Sequence, residues 1–137
     1  MGRIIAFDVG KKRVGIAVTD RERIIANGLT TLQVAEVLPF IKEYLENESV
    51  DLFVVGLARQ ANGQESESMV YIKPFANSLK NKFPDIPIEW VDERFTSRLA
   101  FQTMIDGGLK KTARQDKALV DKISATIILQ SYLESKI

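Results

Sequence analysis

Neither cysteine nor histidine occurs among the 137 residues. Without cysteine there can be no disulfide, thiol nucleophile or zinc–thiolate site, and a cytoplasmic location is favoured. Without histidine the chain lacks the commonest general base, and with it the Ser-His and Cys-His machineries. Any hydrolytic chemistry must then rest on carboxylates, lysines or a metal. No apolar run approaches the roughly 18 residues a membrane span needs, and the N-terminus shows no signal-peptide pattern. An excess of one charge is missing too. With 19 basic and 18 acidic residues the net charge is +1, so only local basic clusters could attract nucleic acid.

What is present describes a globular chain. The hydrophobic content is 45%, and the length suits a single domain spanning 1–137. Residues 3–9 read as a strand apolar on both faces, hence central. "GKKR" turns the chain, and "VGIAVTD" (14–20) returns antiparallel, because so short a connection cannot make a parallel crossover. A third strand is predicted over 24–32. From Gln33 the period becomes helical: Val34, Val37, Leu38, Ile41 and Leu45 mark a helix to about Glu48 despite Pro39. "DLFVVGL" (51–57) is the next strand and "ARQANGQESES" a polar loop. A helix over 66–83 should turn Val70, Phe75, Ala76 and Leu79 inward and bend at Pro74. A strand over 86–91 leads to a helix capped by Thr96 or Ser97 and stopped by Gly107 and Gly108. The basic loop "LKKTARQ" precedes a last helix over 116–134. The order predicts an α/β fold whose five-stranded mixed sheet joins an antiparallel meander to parallel crossovers, with helices on its faces. That is the outline of the RNase H-like fold.

Three acids stand out against this background. Asp8 ends an apolar strand on the face of Ile4 and Ala6, where an uncompensated charge is costly. By itself it could equally brace the turn before Lys11, Lys12 and Arg13. Asp121 shares a helical stripe with Ala125, Ile128 and Tyr132, so it continues the apolar face of the last helix. The helix dipole explains an acid early in a helix, but not one that points inward. "DER" at 92–94 adds two more carboxylates beyond a strand: alternation places Asp92 with Ile88 and Trp90 and Glu93 with Val91, and leaves open which side faces Asp8. Arg94 could simply pair with either neighbour. Acids from three separate elements suit hard divalent cations with oxygen ligands. Two such ions, about 3.5–4 Å apart, would clamp the attacking and leaving oxygens of a phosphodiester. Basic residues accompany the acids. Lys11, Lys12 and Arg13 adjoin Asp8, while Lys110, Lys111, Arg114, Lys117 and Lys122 surround Asp121. Such residues grip phosphates without reading sequence, although any single lysine also suits an ordinary solvated face.

The segments "IIAFDVGKKRVGIAVTD", "LFVVGL…NG", "WVDERFTS" and "DKISATIILQSYL" together resemble the YqgF family, also called RuvX. The likeness covers nearly the whole chain in the family's order. It implies an RNase H-like nuclease; members are described as Holliday junction resolvases and as nucleases that process the 5′ end of pre-16S ribosomal RNA. It further implies that Asp8, Glu93 and Asp121 are metal-binding catalytic acids serving Mg²⁺ or Mn²⁺, and so selects Glu93 over Asp92. Nucleic acid is the implied partner, with ribosomal precursor particles behind it. Lys11, Lys12, Arg13, Arg94, Lys110, Lys111 and Arg114 are the expected backbone contacts. One departure is the loop after Leu57, which reads "ARQANG" where the family usually starts with proline and continues N-x-D-G. It bears on substrate choice rather than on the reaction. A junction resolvase should act as a two-fold dimer, and no exposed heptad or apolar patch predicts one, so RNA is favoured and the chain is read as a monomer or homodimer. A noncatalytic ribosome-assembly module is the alternative from another class. Asp8-x-Gly10 also resembles the phosphate loop of actin-like kinases, but those need a second domain to close over the nucleotide.

Overall fold

From Ile5 to Val9 bulky apolar residues alternate with smaller ones, and that alternation shapes the two layers. The computed structural model describes residues 2–57, 67–92 and 117–135. Strand β1 (Arg3–Val9) pairs antiparallel with β2 (Arg13–Thr19), which pairs antiparallel with β3 (Ala26–Gln33). On its other edge β1 runs parallel to β4 (Val50–Leu57), which runs parallel to β5 (Ile88–Asp92). The order is β3-β2-β1-β4-β5, the mixed sheet read from the sequence. Helix α1 (Val34–Asn47) links β3 to β4, α2 (Met69–Lys82) lies between β4 and β5 in the chain, and α3 (Lys117–Ser135) follows.

One face of the sheet is bulky. Ile5, Phe7, Ile16, Phe53 and Val55 pack there with Val37 and Ile41 of α1 and Ile72, Phe75 and Leu79 of α2. Phe7 meets Phe53 and Phe75 edge to face, with ring centroids 5.6 and 5.4 Å apart, an arrangement that adds to the gain from burial alone. The other face carries Ile4, Ala6, Ala17, Leu52 and Val54 against Ala125, Ile128 and Leu129 of α3. Small residues let α3 come close. A Cβ on Gly15 of β2 would collide with the Asp121 carbonyl, and one on Gly28 of β3 would stand 2.8 Å from the Lys122 stem.

Several predicted boundaries shift, each for a local reason. β3 begins at Ala26 rather than 24 because Asp20 Oδ1 accepts the N–H groups of Ile24 and Ile25 at 2.8 and 2.9 Å. This side-chain turn takes both residues off the ladder, and it carries Arg23 at φ 60°. β5 starts at Ile88, since Pro87 has no N–H to give, although its carbonyl accepts from Phe53 at 2.9 Å. α2 is shorter than predicted and turned differently: Met69, Ile72, Phe75, Ala76 and Leu79 are buried, whereas Val70 is 78% exposed. At 100° per residue Val70 lies roughly opposite the centre of that stripe. At the first turn of α1, Val34 also faces outward.

The end of the sheet remote from Asp8 is tied by charges. Arg3 pairs with Glu48 at 3.1 Å, and Arg23 with Asp51 at 2.7 Å. On the α3 side Tyr132 donates a short hydrogen bond to Glu89 of β5. Among the described residues no helix is long and apolar enough to cross a membrane. The helix predicted after Thr96 or Ser97, its Gly107–Gly108 stop and the basic loop lie outside the described residues, as does most of the "ARQANGQESES" loop.

Candidate active site

Asp8 is the penultimate residue of β1, and alternation puts it on the face of Ile4 and Ala6, beneath α3. Its cross-strand partner is Gly15. Because Gly15 has no side chain, the backbone of α3 at Asp121 descends onto the residue opposite Asp8. Ala125, Ile128 and Leu129 anchor the helix by burial in the same phase. Two acids more than a hundred residues apart in sequence are therefore brought to one end of one sheet face.

Arg13 joins them. As the first residue of β2 it occupies the same face as Gly15 and Ala17, and its Nε donates to Asp121 Oδ2 at 3.0 Å. The pair is partly buried, with the side chains 36% and 24% exposed. The sequence reading gave Arg13 to the nucleic-acid backbone; the structure brings it to an acid. Lys11 and Lys12 occupy the exposed β1–β2 turn, which is closed by the Gly10 N–H donating to the Arg13 carbonyl at 2.8 Å. A cavity of about 490 Å³ opens beside them, lined by Lys11, Lys12, Arg13, Gln33, Val34 and Ala35. The first turn of α1 in this wall escaped the sequence reading. The chain meets the turn here through the Val34 N–H and the Lys12 carbonyl, 3.2 Å apart, and only the antiparallel return of β3 makes them neighbours.

Asp92 goes elsewhere. It pairs with Leu57, and alternation sets it with Ile88 and Trp90 toward α2, while Glu89 and Val91 face α3. It is thus on the opposite face from Asp8 and Asp121. Glu93, Arg94, Lys110, Lys111 and Arg114 lie outside the described residues. Among the described residues no three carboxylates form a metal cluster. Asp8 and Asp121 nonetheless fit a hard divalent cation: both offer oxygen donors, both are half-buried, and the Arg13 guanidinium shows that Asp121 takes a cation in place.

A family model described as RuvX, Holliday junction resolvase, matches residues 2–135. A relative from Phocaeicola vulgatus named "Putative pre-16S rRNA nuclease" is 64% identical over 99% of this chain and 98% of its own length. Relatives of the same name from Bacteroides fragilis and Flavobacterium psychrophilum are 60% and 55% identical, over 99% of both chains in the first case and 100% of both in the second. Among solved structures, Thermus thermophilus RuvC in complex with a Holliday junction substrate superposes with a TM-score of 0.59 at 13% identity, covering 98% of this chain and 96% of that one. The likeness is one of fold, and the fold is RNase H-like. With a family model matching residues 2–135 and relatives this similar over nearly their whole length, the chain belongs to the RuvX family.

Proposed function

We propose that the chain is a divalent-metal-dependent nuclease, a single cytoplasmic domain that hydrolyses phosphodiester bonds in structured nucleic acid. The observation that carries this reading is that Asp8 and Asp121 share one end of one sheet face, the Asp121 backbone lying over Gly15, the cross-strand partner of Asp8. Glu93, which the family resemblance selects from the "DER" triplet, would supply the third carboxylate; Asp92 faces α2. The set is all oxygen and contains no histidine, which suits Mg²⁺ or Mn²⁺. A bound pair of such ions supplies hydroxide at neutral pH and neutralises charge developing on the phosphate. Asp8, Glu93 and Asp121 would hold them through carboxylate oxygens. Lys11, Lys12 and Arg13, with Arg94, Lys110, Lys111 and Arg114, would hold the nucleic-acid backbone through phosphates.

For substrate we take pre-16S rRNA, because the relatives covered end to end are named for it; its 5′ end, presented on precursor particles, is the site that the family resemblance implies. The four-way DNA junction is the second reading, favoured by the description of the family model. A cleavage panel with Mg²⁺ and Mn²⁺ separates them, offering precursor rRNA ends, a four-way DNA junction and plain single and double strands. Cutting of the rRNA precursor is the expected result. Symmetrical cutting of the junction by a solution dimer would establish the second reading, and no cutting of any substrate with either ion would sink the nuclease.

A further inference from the structure

Arg13 belongs to two places at once. Its Nε holds Asp121 Oδ2, and the residue also lines the cavity shared with Lys11 and Lys12. A guanidinium and a divalent cation repel each other, and both seek the same carboxylate lone pairs. Arg13 starts β2 beside the exposed turn and is about one-third exposed, so its long stem can reach either side. We infer that Arg13 is an exchangeable counter-cation: it neutralises Asp121 while no metal is bound and, released when a divalent ion takes that carboxylate, turns to a substrate phosphate over Lys11 and Lys12. The inference rests on the reading of Asp121 as a metal ligand. It gives the ligand-free site a partner for an inward-facing acid, and it makes phosphate capture follow metal loading. A guanidinium suits both roles, since its planar fork matches carboxylate and phosphate alike.

Mn²⁺ binding, measured by calorimetry on wild type, Arg13→Gln, Arg13→Lys, Asp121→Asn and the Arg13→Gln/Asp121→Asn double variant, tests the first half. Arg13→Gln removes a competitor and should bind Mn²⁺ about 3- to 5-fold more tightly, the size expected for release of a partly exposed ion pair. The gain should shrink at high salt, where the pair is already screened. Arg13→Lys should stay near wild type, and in the double variant the gain over Asp121→Asn alone should vanish. Anisotropy of a labelled, uncleavable 2′-O-methyl RNA duplex tests the second half: adding Mn²⁺ should strengthen its binding to wild type more than to Arg13→Gln. Weaker or unchanged Mn²⁺ binding in Arg13→Gln overturns the exchange, and an equal Mn²⁺-induced gain in RNA binding overturns the hand-over. Absence of Mn²⁺ binding in wild type and Arg13→Gln alike overturns the metal-site reading itself, and this inference with it.

Discussion

At the scale of the residue, the two described acids hold unlike positions. Asp8 ends a strand whose inward neighbours are Ile4 and Ala6, and Asp121 caps an apolar helix stripe with Arg13 against it. If Asp8 is a ligand, its carboxylate serves the metal-loaded chain rather than the fold. Asp8→Asn should lower metal-dependent cleavage by at least about 100-fold, beyond the usual cost of disturbing a ligand's supporting hydrogen bonds. Its melting temperature in metal-free buffer should hold or rise. Cleavage assays beside circular dichroism melts check this, and unfolding of the variant would instead make Asp8 a brace for the turn.

At the scale of the element, α3 and β2 form the joint on which the site depends. Gly15 permits backbone contact with Asp121, so the small row Gly15, Ala17 and Ala6 sets the height of the helix above the sheet. Gly15→Ala should cost about 1–3 kcal/mol by overpacking, read from urea unfolding, and should weaken Mn²⁺ binding because Asp121 is lifted away from Asp8. The phase of α2 can be tested apart from the site. Ile72 is buried and Val70 exposed, so Ile72→Ala should cost about 2–5 kcal/mol while Val70→Ala stays within about 0.5 kcal/mol. Equal losses would return Val70 to the core, where its apolar character alone had put it.

At the scale of the whole molecule, charged contacts away from the site limit the pH range of stability. The Arg3 hydrogen bond, aided by Arg21, holds Glu48 below its ordinary value of 4.5, and the N–H groups of Ile25 and Ile24 hold Asp20 below 3.8. Groups depressed in the folded state contribute stability above those ordinary values, and lose it as pH falls through the lowered ones. Tyr132 is the reverse case: burial first and the Glu89 hydrogen bond second push its hydroxyl up to about 12. Its contribution is complete below the ordinary value of 10.0 and is lost as pH rises toward 12. Thermal melts across pH should therefore fall away on both sides of a broad plateau. Glu48→Gln should flatten the acid limb and Tyr132→Phe the alkaline one, and limbs unchanged by either substitution would assign the pH dependence to other groups.

The sequence by itself determined the five strands, the mixed sense of their sheet and the apolar stripe that turns Asp121 inward, because period-2 and period-3.6 patterning and short connections are local properties of the chain. The absence of histidine and cysteine likewise restricted the chemistry before any coordinates. Element ends were less legible: the Asp20 side chain competes with the β3 ladder, and the inward side of α2 depends on which hydrophobics the sheet receives. Only the tertiary structure could decide that Arg13 answers Asp121, that Gly15 lets α3 settle opposite Asp8, and that Asp92 faces away. Each of these depends on which face of the sheet a residue shares with one far off in the chain. Strand pairing and helix docking set that choice, and spacing along the sequence does not encode it.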